Sequence, residues 1–346
     1  MRILHLLSSK TFSGAENVVC QINNMFKKDY AMAYASPDGP IKEALKNRHI
    51  SFIPLSCMDI SEVKRAIQTY KPDIIHAHDI RASFTAAWAC GDIPMISHIH
   101  SNSFNAKKIS LKSIVYYFAA RKAKKIIWVS KSSYEGYAFN KRFKDKSVVL
   151  YNVLDQKELI ERAKQDTDHY NYDIVYIGRL TYQKNPQRLL QVLRLACDKK
   201  PSLKAAIIGA GEMTEEVKTL CKELKLLDNV SFLGFQQNPL KILQDSKVMI
   251  MTSRWEGTPM VALEAMALGI PIISTPVDGI NELICNGING YLTENNEEFA
   301  EDIVNLILDS KLQKKMAENQ LNCFNKINNT EKYKAALGEI YQSCLN

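Results

Sequence analysis

The chain has 346 residues, 46% hydrophobic and 24% charged, with a net charge of +8. That length suggests about two domains of roughly 150 residues each, and the apolar share excludes a disordered or fibrous chain. No apolar run reaches the ~18 residues that span a bilayer. The chain opens directly on a strand pattern, MRILHLL, without a signal-peptide layout. Cys20, Cys57, Cys90, Cys197, Cys221, Cys285, Cys323 and Cys344 form no C-x-x-C pair. They read as reduced cytosolic thiols rather than a zinc or disulfide framework.

In chain order, strand patterns fall at 2–7, 30–35, 51–55, 73–78, 94–99, 125–130 and 147–151, with helical stretches between them. The same alternation returns at 173–178, 204–209, 229–234, 247–252 and 271–275. Strands alternating with helices predict parallel sheets covered on both faces. The expected organisation is a Rossmann-like domain over 1–155, a polar connection over 156–172, a second Rossmann-like domain over 173–327, and a final helix over 328–346. That helix carries Tyr333, Ala336, Leu337, Ile340, Tyr341 and Cys344 on one side. Ligands of such α/β domains bind at the carboxyl ends of the strands.

Charge is uneven. Residues 1–170 carry 26 basic against 16 acidic side chains, and residues 171–346 carry 19 against 21. Between Asp92 and Glu135 there is no acidic residue, yet Lys107, Lys108, Lys112, Arg121, Lys122, Lys124, Lys125 and Lys131 fall there. On charge alone nucleic acid and an anionic membrane both qualify as partners. Ile109, Leu111, Ile114, Val115 and Phe118 give this stretch an apolar side, so it reads as a basic amphipathic helix. Such a helix either lies on a membrane or packs on its own sheet.

The most telling stretch is TSRWEGTPMVALEAMALG (252–269). Glu256 lies on a Gly/Pro turn with Gly257. Glu264 lies eight positions on, inside a helix read as starting at Pro259, where proline is favoured. The first amides of that helix, at Met260 and Val261, make an anion site at the positive end of the helix dipole. Amides for a diphosphate beside carboxylates for sugar hydroxyls suit a nucleotide-sugar.

The E-x7-E spacing, with SR-EG before it and AMALGIPIISTPVDG after it, resembles the family 4 retaining glycosyltransferases. The resemblance runs almost the whole chain. It implies the GT-B fold, two doubly wound parallel-sheet domains facing across a cleft, with the acceptor bound by the first and the donor by the second. By the same resemblance, Arg179 and Lys184 in IGRLTYQKNP hold the diphosphate, and Gly234 and Phe235 in FLGF lie near the nucleotide base. Glu264 holds the ribose, and Glu256 and His100 hold the hexose. His98 is expected to point to the opposite side of its strand. Gly14 in SKTFSGAEN lets backbone approach the donor, while Ser13 stands where the family usually has another glycine. Ser13, His78 and Asp79 fall on the acceptor side, and a helix N-cap is an equally good reading of Asp79.

Two patterns are set aside. Asp166-Thr167-Asp168 has the D-x-D spacing of metal-dependent transferases but lies in the polar connection, so no metal is implied. IIGAGEMT (207–214) is a partial dinucleotide fingerprint with Thr214 in the last place, and reads as a strand-to-helix turn.

The resulting expectation is a retaining, metal-independent hexosyltransferase of polysaccharide assembly. It needs no cofactor beyond its nucleoside-diphosphate-sugar co-substrate, of UDP type. The acceptor is a saccharide, lipid-linked, and nucleic acid is not a partner. The expected location is the cytoplasm, at the inner face of the plasma membrane. Two rivals are a sugar-nucleotide epimerase on the same fold and a non-catalytic transferase-like subunit. The first predicts turnover without acceptor. The second predicts degenerate motifs, whereas Arg179, Lys184, Glu256 and Glu264 are all present.

Overall fold

A computed structural model describes residues 1–100 and 109–345. Its contacts divide the chain into two units, Met1–Val153 with Asn329–Asn346, and Leu154–Asn328.

The first unit contains strands β1 (Arg2–Leu6), β2 (Ala31–Pro37), β3 (Ser51–Leu55), β4 (Ile74–His78), β5 (Met95–Ile99), β6 (Lys125–Trp128) and β7 (Ser147–Val149). Its helices are α1 (Gly14–Phe26), α2 (Ile41–Lys46), α3 (Ile60–Tyr70), α4 (Ile80–Ala89), α5 (Leu111–Lys122) and α6 (Lys131–Glu135). The seven strands are parallel, in the order β3-β2-β1-β4-β5-β6-β7. The order reverses between β1 and β4, which makes that crevice the topological switch point. β4 and β5 are buried along their whole length, as expected of parallel strands covered on both faces.

The second unit contains α7 (Gln156–Lys164), β8 (Ile174–Ile177), α8 (Pro186–Lys199), β9 (Ala205–Ile208), α9 (Thr214–Glu223), β10 (Val230–Gly234), α10 (Leu240–Asp245) and β11 (Val248–Met251). It continues with α11 (Met260–Ala267), β12 (Ile272–Ser274), β13 (Gly290–Leu292), α12 (Asn296–Leu308) and α13 (Ser310–Ile327). Six parallel strands run in the order β10-β9-β8-β11-β12-β13, with the switch point between β8 and β11. Its core is built from the strand residues together with Leu189, Leu193, Phe299 and Ile303 of α8 and α12. The last helix, α14 (Thr330–Leu345), belongs to the first unit, with Tyr333, Leu337, Ile340, Tyr341 and Cys344 buried.

Three expectations change. The polar stretch 156–172 is not a bare connection. It holds α7, whose Leu159 and Ala163 are buried, and Asn238 Nδ2 donates to the Arg162 carbonyl at 2.7 Å. Its two buried positions sit four apart, enough to dock a short helix but too few to stand out among charges. Pro259 does not open α11. It is the extended N-cap, with ψ 122°, and the helix starts at Met260. β13 is only three residues long, too short to read by periodicity.

Candidate functional site

The second unit assembles its site at the switch point. After β11 the chain turns through Thr252–Glu256, and after β8 through Arg179–Asn185. The two loops are stitched together. Thr252 Oγ1 donates to the Lys184 and Asn185 carbonyls, both at 3.1 Å. Gln183 Nε2 donates to the Trp255 carbonyl at 3.0 Å, and the Arg254 N–H to the Gln183 carbonyl at 2.8 Å. Asn185 adopts φ 51° to turn the chain into α8, where Pro186 takes the first helical position.

This stitching brings Lys184 Nζ to 2.5 Å from Glu256 Oε1, with side chains only 15% and 6% exposed. Ser253 Oγ donates to the same oxygen at 2.6 Å. The Glu256 N–H donates to Asp278 Oδ2 at 3.1 Å. A Cβ on Gly279 would come within 1.6 Å of the Gly257 carbonyl oxygen, so only glycine lets the loop after β12 press on this turn. Ser253, Asp278 and Gly279 were not singled out as site residues from sequence. The PVDG pattern after β12 was the available signal.

Arg179 is exposed, with Nη2 3.5 Å from Gln183 Oε1. In α11 the Ala262 and Leu263 N–H groups both return to the Pro259 carbonyl. Met260 and Val261, the first two residues of the helix, therefore have no acceptor within it. α11 is apolar on nearly every side and buried, and Glu264 is its one charged residue. Burial pushes the Glu264 carboxyl up to about 7, with Arg162 pulling the other way.

Arg179 and Lys184 thus follow β8, and Glu256, Gly257, Met260 and Val261 follow β11, the two strands that flank the switch point, while Glu264 lies further along α11 and feels Arg162 of α7. Gly234 ends β10 and Phe235 follows it, at the same carboxyl end of the strands but two strands from β8. Phe235 is 62% exposed, so core packing does not account for it. Cβ atoms on Gly209 and Gly211 would strike the Gly178 and Leu180 carbonyls, so this G-x-G lets the turn after β9 pack on the loop after β8. Asp166 sits in a local turn, accepting from the Asp168 N–H and the Tyr170 hydroxyl. A shallow groove on this unit is lined by Asn185, Arg188, Glu216, Arg254 and Glu294.

At the first unit's switch point, Asp79 is engaged on both oxygens. Oδ1 caps α4 through the Ala82 N–H at 2.7 Å, and Oδ2 accepts from the Ser8 N–H and hydroxyl at 2.9 and 2.8 Å. The N-cap reading of Asp79 is the one the geometry uses. Ser13 stands at the N-cap position of α1 without a capping hydrogen bond; its hydroxyl donates to the Glu16 carboxylate instead, and Gly14 opens the helix. Glu16 is buried, and burial pushes its carboxyl up.

His98 does not face away from His100. The strand pleat repeats every two residues, so both lie on one face, with ring centroids 4.1 Å apart. His5, His76 and His78 join them, through the register pairs His5 with His76 and His78 with His98. His5 Nδ1 meets His78 Nε2 at 2.9 Å, and His78 Nδ1 meets His100 Nε2 at 2.9 Å. His76 Nδ1 meets the Tyr341 hydroxyl at 2.9 Å. Burial pulls the histidines of this cluster well below their usual range.

On α5 the side that packs consists of Ser113, Tyr116, Ala119 and Ala120. Leu111, Ile114 and Phe118 are exposed, as are Lys112, Arg121 and Lys122. Of the two readings of this helix, packing of the apolar side on its own sheet does not hold for these three residues. Lys107 and Lys108 lie outside the described residues. Among the described residues, no helix is long and apolar enough to cross a membrane.

Residues 13–158 match the Glycosyltransferase Family 4 family, and residues 157–322 match the Glycosyl transferases group 1 family. The chain belongs to glycosyltransferase family 4. Among its relatives, an uncharacterized glycosyltransferase of Methanocaldococcus jannaschii is 29% identical over 252 residues, spanning 66% of this chain and 62% of that protein. The Escherichia coli UDP-Gal:alpha-D-GlcNAc-diphosphoundecaprenol alpha-1,3-galactosyltransferase is 25% identical over 95% of this chain and 92% of its own length. Anabaena HepE, solved in complex with UDP-glucose, superposes with a TM-score of 0.86 at 23% identity, covering 99% of this chain and 100% of that one. These likenesses give this family 4 member the GT-B fold class, two Rossmann-like units with sheets of seven and six strands.

Proposed function

We propose that this family 4 protein is a retaining, metal-independent glycosyltransferase that moves a hexose from a UDP-type sugar to a lipid-linked saccharide in polysaccharide assembly. The observation that carries the reading is the Lys184–Glu256 pair beside the start of α11. Cations and amides there suit a diphosphate, and carboxylates suit sugar hydroxyls.

In this reading Arg179, Lys184 and the Met260 and Val261 amides neutralise the departing diphosphate, whose charge grows toward the transition state. Arginine offers a planar fork and lysine a point charge. Glu264 accepts from the ribose. Glu256 spends Oε1 on Lys184 and Ser253 and offers Oε2 to the hexose. The leaving phosphate oxygen takes the acceptor's proton, so no side chain serves as general base. No metal or other cofactor enters.

The donor class is supported by the UDP-sugars named for the E. coli relative and for Anabaena HepE. A lipid-linked acceptor is supported by the diphosphoundecaprenol in that relative's name. The exposed Leu111, Ile114 and Phe118 among basic residues of α5 fit work at the inner face of the plasma membrane. Basic residues near anionic lipid contribute about 1 kcal/mol each.

A thermal-shift and hydrolysis screen of nucleotide-sugars against the pure protein tests the reading, since a ligand of the folded state raises Tm by mass action. One UDP-sugar should stabilise the protein and be consumed, faster with acceptor, in the presence of EDTA. NMR of the first-formed glycoside should show the donor's anomeric configuration. Turnover without any acceptor to an altered nucleotide-sugar would favour the epimerase instead.

A further inference from the structure

We propose that the histidine cluster of the first unit binds one divalent transition-metal ion of the zinc class, through His78, His98 and His100. Five of the chain's seven histidines stand on one face of β1, β4 and the end of β5. Their hydrogen bonds use His5 Nδ1, both nitrogens of His78, His76 Nδ1 and His100 Nε2. The other five ring nitrogens, His5 Nε2, His76 Nε2, both of His98 and His100 Nδ1, are buried without a hydrogen-bond partner among the described residues. Buried polar atoms are nearly always paired, and a cluster that is not has a reason to be polar. A fold that needed only packing here would place aliphatic side chains on these strands.

The spacing suits an ion. One nitrogen from each of His78, His98 and His100 lies within 4.8 Å of the others. Zn–N bonds of about 2.0–2.1 Å in a tetrahedron put ligand nitrogens roughly 3.3 Å apart. The 2.9 Å gap between His78 Nδ1 and His100 Nε2 opens slightly to admit the ion, and rotation of the His98 ring brings in the third ligand. Each ring stays neutral, with its proton on the nitrogen away from the ion. For His78 that nitrogen is Nε2, held by His5 Nδ1 at 2.9 Å. A second residue that orients the ligand through its far nitrogen is the usual support of a metal-bound histidine. His5, His76 and His78 form another trio, but all three are fully buried, whereas His100 is partly exposed and gives the ion a way in.

Cobalt titration of the EDTA-treated, dialysed full chain tests this. The exposed thiols are first removed as Cys57→Ser and Cys285→Ser, because they would compete for the ion. One equivalent should bind, with visible cobalt bands of nitrogen coordination and no thiolate charge-transfer band. Zinc should displace it and raise Tm. His98→Gln and His100→Gln should each abolish the one-equivalent endpoint, and His49→Gln and His169→Gln should leave it intact. An endpoint unchanged in both cluster variants overturns the proposal, as does a thiolate band in the parent. If the variants do not fold, the parent's spectrum decides, and no saturable nitrogen-type binding in it overturns the proposal equally.

Discussion

Glu264 carries a proton at the wrong pH for an ordinary carboxylate, and that has two measurable effects. An unfolded glutamate titrates near 4.3, whereas burial in α11 pushes this one up to about 7. The folded state therefore holds the proton more tightly. The stabilising contribution of the neutral form is full below the unfolded value and is lost as pH rises through about 7. Relative to the parent, Glu264→Gln should gain stability between pH 5 and pH 8, read by urea denaturation at both. Sugar hydroxyls bond better to the charged form, so donor KM should fall over the same range in the parent and stay level in the variant. Glu264→Ala should raise donor KM about tenfold or more, the loss of a charged hydrogen bond. Lys184 and Glu256 form the second test. Breaking a buried pair leaves the other charge uncompensated, at about 3–5 kcal/mol. Lys184→Met and Glu256→Gln should each destabilise, and the double variant should lose clearly less than their sum. Additive losses would mean the 2.5 Å contact contributes nothing.

At the scale of elements, the turn carrying Glu256 depends on the loop after β12. Gly279→Ala places a Cβ 1.6 Å from the Gly257 oxygen, so the two loops must part. Overpacking of this order costs about 1–3 kcal/mol, and kcat should fall with stability because Glu256 shifts. A variant with normal kcat would show that the turn holds itself. α5 gives the other test at this scale. Phe118→Ser and Lys112→Gln should weaken sedimentation with anionic vesicles, and salt should weaken it further. Equal sedimentation with neutral vesicles would remove charge from the account. The strand-helix alternation was legible in the sequence because parallel strands are continuous apolar runs of about five residues. α7 was hidden because Leu159, Ile160 and Ala163 make too short a pattern among charges. The Lys184–Glu256 pair was half legible. The motifs named both residues, but a contact 72 positions apart depends on two strands being neighbours, which periodicity does not report. The side of α5 that faces out stays open in the sequence, because an amphipathic pattern marks two faces without saying which one meets the protein.

For the whole molecule, the notable feature is where the chain leaves and rejoins the first unit. The second unit, Leu154–Asn328, is an insertion between Val153 and Asn329. His76 meets Tyr341 across 265 positions, with α14 supplying five buried side chains. During synthesis the first unit therefore begins first and is finished last, after the second has had time to fold as a unit. Chains stopped at Asn328 should hold a protease-resistant second unit and an N-terminal half that is digested. Tyr341→Ala in the full chain should bring digestion of the N-terminal half on earlier and leave the second unit's resistance unchanged. A loss at the extreme C-terminus would thus be felt first at the opposite end of the sequence.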